Sequence, residues 1–283
     1  MASLKTLSNH ISSSNTANNI LKLGVLDWGL GGFSFVQHLQ KHCISIPMLY
    51  FSDSGFPPYG TCRPQDLKAR LKSIFIWCFE RGCSHIVVAC NAASSVLSPE
   101  DEFFLDKDKD GAGGAHHQRI IAIIRPTISC LNSHLQSGCS LHVIGGKRTI
   151  ESQVYQKEGL IKHTAQVAQP LSACIERGVT VGEEIDEILC GVLQPKARHL
   201  LLACTHYEVL LPTQLRVHMP LLETVWYPSQ CVYHYMTQHF AFMETQRTLE
   251  CYTTGDPTDM HIRAMGVFGV VGIPAFEKVG LSC

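Results

Sequence analysis

Two stretches constrain this chain more than any other. They are His85-Ile86-Val87-Val88-Ala89-Cys90-Asn91-Ala92-Ala93-Ser94-Ser95 and Arg198-His199-Leu200-Leu201-Leu202-Ala203-Cys204-Thr205-His206-Tyr207. In each, a short uncharged apolar run ends in Ala-Cys and gives way to small or polar residues. An apolar run of that length reads as a strand buried on both faces, and the residues after it as a strand-to-helix turn. Open α/β sheets place their chemistry at the carboxyl ends of strands. One such end in each half of the chain makes the thiols of Cys90 and Cys204 the candidate reactive groups.

The rest of the chain supplies a frame for these two ends. Leu23-Gly24-Val25-Leu26-Asp27 reads as a first strand, and Trp28-Gly29-Leu30-Gly31-Gly32 as a turn into a helix carrying Phe33, Val36 and Leu39. A glycine-rich turn there lets backbone amides approach an anion, although the full dinucleotide fingerprint is missing. Pro47 to Phe51 is a second strand, followed by a rigid Pro/Gly loop through Pro58-Tyr59-Gly60-Thr61 and a helix from about Pro64 to Arg81. Arg119 to Ile124 and Leu141 to Gly145 are further strands, Val181 to Leu193 a helix, and Tyr252 to Pro257 a late turn. Alternating strands and helices with short turns predict an α/β fold of mainly parallel sheets. At 283 residues, a prior of roughly 150 residues per domain favours two. The expected architecture is two similar three-layer lobes with the active site in the cleft between them.

Composition excludes several classes. The formal net charge is -1 with no sustained basic block, so neither nucleic acid nor a membrane surface is an expected partner. Thirteen cysteines, odd in number and often within apolar runs, read as reduced thiols of a cytoplasmic protein rather than a disulfide framework. No cysteine spacing matches a metal site, so no metal is expected. Leu105 to Gly111 begins like a calcium loop, but its twelfth place is His117 where a bidentate Glu is needed, and the segment reads as a solvated insertion. Residues 1–20, rich in Ser and Asn, read as a disordered tail.

Six motifs in order then resemble the cofactor-independent aspartate/glutamate racemase superfamily, glutamate racemase above all. They are Gly24-Val25-Leu26-Asp27-x-Gly29-x-Gly31-Gly32, Tyr50-Phe51-x-Asp53 with Pro58-Tyr59-Gly60-Thr61, and Val87-Val88-Ala89-Cys90-Asn91-x-Ala93-Ser94. Val143-Ile144-Gly145 with Thr149-Ile150-x-Ser152, Cys204-Thr205-His206, and Thr254-Gly255-Asp256 complete the set. The resemblance implies two lobes, 21–118 plus 227–283 and 119–226, and often a homodimer. It implies interconversion of L- and D-amino acids, glutamate first and aspartate next, without pyridoxal phosphate or any other cofactor. Cys90 and Cys204 would be the two bases, assisted by Asp27 and His206. Tyr59, Gly60, Asn91, Thr149 and Thr205 would hold the substrate's carboxylate and amine. Glu176 corresponds to a family acid. The chain departs from the pattern at Trp28 and Ala92, which stand in the substrate-holding set where hydroxyl residues are usual; at Gly146, where a threonine is missing; and at Phe56 and Arg125.

Two thiols also make chemical sense without the family. Racemisation removes the α-proton from one face and returns one to the other, so one thiolate and one thiol serve both directions by exchanging roles. A free cysteine near pKa 8.5 is mostly protonated at neutral pH, so neighbours must manage its proton. Competing readings are a superfamily isomerase acting on a non-amino dicarboxylate, a binding protein that kept the fold without turnover, and a Cys-His hydrolase. A decarboxylase of the superfamily keeps only one thiol, which argues against it here.

Overall fold

A computed structural model of the chain describes residues 19–281 other than 43, 99, 102–119, 137 and 244. The expected calcium-like loop and residues 1–18 of the expected tail lie outside the described residues. Along the chain run β1 (Asn19–Ile20), β2 (Leu23–Asp27), α1 (Phe33–Lys41), β3 (Met48–Ser52), α2 (Pro64–Glu80), β4 (His85–Val88), α3 (Asn91–Ser94), β5 (Ile120–Ala122) and α4 (Ile124–His134). Next come β6 (Leu141–Gly145), α5 (Lys147–Glu151), α6 (Val154–Lys157), β7 (His163–Val167), α7 (Gln169–Glu176), α8 (Glu183–Val192) and β8 (His199–Ala203). A 3₁₀ turn (Thr205–Val209), α9 (Pro212–His218), β9 (Thr224–Trp226), α10 (Pro228–His239), β10 (Ala241–Phe242), β11 (Leu249–Thr253), α11 (Pro257–Phe268) and β12 (Phe276–Lys278) follow.

Two parallel sheets carry the architecture. The larger has the order β12-β11-β3-β2-β4-β5 and the smaller β7-β6-β8-β9. The chain is thus a two-lobed α/β protein with mainly parallel sheets. Its central strands β2, β3, β4 and β6 are buried along their whole length, as runs covered by helices on both faces must be. In register, Val25 lies between Tyr50 and Val87, and Ile144 beside Leu202, so β2 and β4 end side by side, as do β6 and β8. One apolar cluster runs through both sheets, joined by Phe33 and Leu39 of α1, Ile128 of α4, and Val232 and Met236 of α10. Local chemistry sets the helix ends. Pro64 opens α2, and its apolar Leu67, Leu71, Ile74 and Cys78 fall on the buried stripe. Asp256 caps α11 by accepting from the Asp259 amide at 2.8 Å, and Gly269 ends it at φ 59°.

Four expectations need correction. The strand after the insertion is shorter than expected, Ile120–Ala122, and α4 starts at Ile124 with Pro126 in its first turn, where a missing N–H costs no helical bond. That strand also pairs with β4, so it belongs to the larger sheet and the boundary expected at residue 118 falls after it. Asn19 and Ile20 are not tail but a strand paired with Ala241 and Phe242. Tyr252 and Thr253 are strand rather than turn, closing β11 against β3. No helix among the described residues is long and apolar enough to cross a membrane.

Candidate active site

The carboxyl ends of the two sheets face one cleft of about 320 Å³. It is lined by all eleven residues expected from sequence: Asp27, Trp28, Tyr59, Gly60, Cys90, Asn91, Ala92, Thr149, Cys204, Thr205 and His206. The larger sheet brings Asp27 at the end of β2 and Cys90 just after β4. The smaller brings Cys204 just after β8. The 3₁₀ turn that follows begins at Thr205 and turns His206 back toward the thiol.

Each thiol has its own partner. Asp27, fully buried, accepts from the amides of Trp28 and Gly32 at 2.8 Å each and interacts with the Cys90 thiol. Burial raises the Asp27 pKa, and the charge of His206 together with these hydrogen bonds offsets only part of the rise. Burial, then the Asp27 charge, pushes the Cys90 thiol well above its ordinary value, while the Ala93 and Trp28 amides pull the other way. In the resting site Cys90 is therefore a neutral thiol.

The second thiol sits in a different field. Cys204 Sγ lies 3.7 Å from His206 Nδ1 and 3.8 Å from Ser172 Oγ. His206 Nε2 in turn hydrogen-bonds Glu176 Oε1, and Arg263 Nη1 donates to Glu176 Oε2 at 2.8 Å. Burial alone would lower the His206 pKa, but the Glu176 charge and the hydrogen bonds to Cys204 and Glu176 hold it well above the ordinary histidine value. Burial likewise opposes ionisation of Glu176, and His206 and Arg263 overcome it, leaving its pKa lowered. His206 is thus an imidazolium set beside Cys204, stabilised by a carboxylate that is itself held by an arginine.

Close backbone approach joins the halves. A Cβ on Gly31 would lie 2.9 Å from both the His206 amide nitrogen and Thr205 Cβ, with Thr205 Oγ1 nearer still. A Cβ on Gly29 would lie 2.6 Å from Glu176 Oε1. The β2 turn must therefore be glycine where it slides against the Cys204 turn. On the other side Arg148, at the start of α5, reaches over to the Pro/Gly loop. Its Nε donates to Tyr59 O at 2.6 Å and its Nη2 to Cys62 O.

The expected substrate-holding residues differ in what they offer. Asn91 is buried with Oδ1 accepting from Tyr155 Oη at 2.6 Å, and its Nδ2 has no acceptor among the described residues. A buried donor one residue from Cys90, left without an acceptor among the described residues, suits a ligand oxygen. The Tyr59 hydroxyl instead donates to Asp53 at 2.9 Å, so it has no hydrogen left to offer a carboxylate. Asp53 also accepts Arg70 Nη2 at 2.7 Å and Thr254 Oγ1 at 2.9 Å, fixing the loop in place. Trp28 adds a ring to the cleft wall, with its indole N–H donating to Phe56 O at 2.9 Å.

Sequence reasoning assigned no role to Gln169, Ser172, Lys147 or Arg148, which also line the cleft. A signal for some was present: Gln169, Ser172 and Glu176 recur at helical spacing opposite the buried Leu171, Cys174 and Ile175. Gln169 Oε1 accepts the Lys147 amide at 3.0 Å, tying α7 to α5.

No family model matches the chain. Over 248 residues it is 22% identical to the glutamate racemase of Carboxydothermus hydrogenoformans, covering 83% of this chain and 88% of that one. Over 199 residues it is 29% identical to the glutamate racemase of Pseudomonas entomophila, covering 67% and 71%. Among solved structures, glutamate racemase from Thermus thermophilus in complex with β-chloro-D-alanine superposes with a TM-score of 0.76 at 22% identity, over 92% of this chain and 97% of that one.

Proposed function

We propose that this chain, a divergent member of the aspartate/glutamate racemase superfamily, interconverts the L and D forms of an acidic amino acid, glutamate first, through two thiols. The observation that carries this reading is that each cysteine of one cleft has its own proton-managing partner, Asp27 for Cys90 and His206 with Glu176 for Cys204.

The mechanism follows from that asymmetry. Cys204, set beside the imidazolium of His206, acts as the base that removes the α-proton of one enantiomer. The neutral Cys90 thiol then delivers a proton to the opposite face. In the reverse direction Cys90 gives its proton to Asp27, whose raised pKa makes it a competent acceptor, and removes the α-proton, while Cys204 takes a proton from His206 and delivers it to the opposite face. The intermediate carries negative charge beside the substrate's carboxylate. The open Asn91 Nδ2, with the turns at Thr149 and Thr205, would meet that charge with fixed donors. This chemistry asks for no cofactor.

A second reading, ligand binding without turnover, draws on Trp28 and Ala92, which bring a ring and a methyl to the cleft where hydroxyls are usual. One experiment separates the two. Purified protein, with no cofactor added, is incubated in deuterated water with L- and D-glutamate and L- and D-aspartate, beside Cys90→Ala and Cys204→Ala. Deuterium at the α-carbon with loss of stereochemistry, abolished in both variants, is the expected result. Folded wild-type protein that binds these amino acids and exchanges no α-proton would overturn the racemase reading in favour of the second.

A further inference from the structure

We propose that Arg148 determines the specificity of this cleft by receiving the side-chain carboxylate of an acidic substrate. The inference deepens the reading above, on which the word substrate rests, but it stands on geometry of its own.

Arg148 is half-buried and lines the cleft. Its guanidinium is fixed along one edge, with Nε on Tyr59 O at 2.6 Å and Nη2 on Cys62 O. Both partners are neutral backbone carbonyls. The other cations of the cleft wall are answered: His206 by Glu176, and Lys147 by Glu151 at 3.9 Å. Arg148 has no carboxylate among the described residues, so its charge is uncompensated where it meets the cavity. A guanidinium has five N–H donors in a planar fork. With the Nε edge spent on the loop, the opposite edge, Nη1 and the second Nη2 hydrogen, takes no acceptor among the described residues. That edge has the spacing for a bidentate carboxylate, the pairing for which arginine is best shaped.

Position decides which carboxylate. The α-carbon must sit between Cys90 and Cys204, and the open Asn91 Nδ2 is attached one residue from Cys90, which suits the α-carboxylate. Arg148 is clamped instead to the carbonyl of Cys62, between the exposed Thr61 and Arg63, at the mouth of the cleft. A group reaching from the thiols to the mouth is the far end of the substrate. Because the loop carbonyls hold the guanidinium before any ligand arrives, little side-chain freedom remains to be lost on binding.

The test compares wild type, Arg148→Gln and Arg148→Lys in two assays. The first is calorimetric binding of glutarate, a dicarboxylate with no amino group and no chirality, which needs no turnover. The second is the ratio of kcat/KM for glutamate to that for glutamine. Loss of a charge-assisted pair is expected to weaken glutarate binding by about ten- to a hundredfold in the Gln variant, with the Lys variant between. The glutamate preference over glutamine should fall by a similar factor while the glutamine value changes little. Glutarate binding unaffected by Arg148→Gln, absent already in wild type, or a loss equal for glutamate and glutamine would overturn the inference, the last marking Arg148 as a clamp only. Glutarate binding that depends on Arg148 in a protein exchanging no α-proton would instead sink the racemase reading and leave the inference standing.

Discussion

Replacing Gly31 with alanine tests whether the two halves of the cleft are held in register by backbone contact. The added Cβ would lie 2.9 Å from the His206 amide nitrogen, where ordinary contact begins at 3.4 Å. The Cys204 turn must therefore retreat by at least about half an ångström. It cannot do so by rotating a side chain, since the nearest fixed atom is backbone. Overpacking of this kind costs about 1–3 kcal/mol of stability. A misplacement of about 1 Å between reacting groups can cost a hundredfold in rate, so half of that predicts a fall in kcat/KM of roughly ten- to a hundredfold. The two enantiomers have equal free energy, so the loss must be the same in both directions. Polarimetric or coupled racemisation assays from each enantiomer, with thermal unfolding of the same samples, give both numbers. Gly191→Ala, on α8 with open space around its Cα, is the companion variant and should be neutral or slightly stabilising. A Gly31→Ala protein with wild-type kcat/KM and stability would refute the argument that glycine is required there.

Two further outcomes follow from the charged groups. In Glu176→Gln, burial of His206 is no longer opposed by the carboxylate, so its pKa drops and the basic limb of the pH–activity profile should move to lower pH. The same pair sets a stability window. The raised His206 contributes fully below the ordinary histidine value of 6.5 and loses its contribution as pH climbs through the raised value. The lowered Glu176 contributes above 4.5 and loses it as pH falls through the lowered value. The melting temperature of the variant should thus fall furthest behind wild type between about pH 4.5 and 6.5 and less on either side, and a pH-independent deficit would contradict the pairing. Asp53→Ala removes the buried carboxylate that pairs with Arg70 and accepts from the Tyr59 hydroxyl, which is expected to cost about 3–5 kcal/mol in denaturant unfolding. A loss under about 1 kcal/mol would mean that the loop does not depend on this hub.

The reactive ends were legible because a parallel strand buried on both faces leaves a short, unbroken apolar run, and both cysteines directly follow such runs. The partners Asp27 and His206 were legible only through the resemblance, although each lies at or just past a strand end. Sheet membership was not: Ile120–Ala122 reads as a buried strand equally well in either sheet, and only its pairing with Ile86–Val88 decides. Arg148 illustrates a second limit. In sequence it is one polar residue in a helix start, and its meaning comes from Tyr59 and Cys62, far away along the chain. Tyr59 shows the same limit from the other side: nothing in the sequence tells that its hydroxyl donates to Asp53.

The order of strands in the larger sheet has a consequence for biosynthesis. β11 fills the position beside β3, with Met48 paired to Leu249, while β6 to β9 form the smaller sheet from one uninterrupted stretch. As the polypeptide emerges from the ribosome, the smaller sheet can close on itself as soon as β9 is free. The larger one must wait with the edge of β3 bare until the last strands arrive. An unpaired strand edge is a template for unwanted association, and here it persists through the synthesis of most of the molecule. The wall carrying Asp27 and Cys90 is therefore the last to be completed, and it is during that interval that the nascent chain most needs shielding.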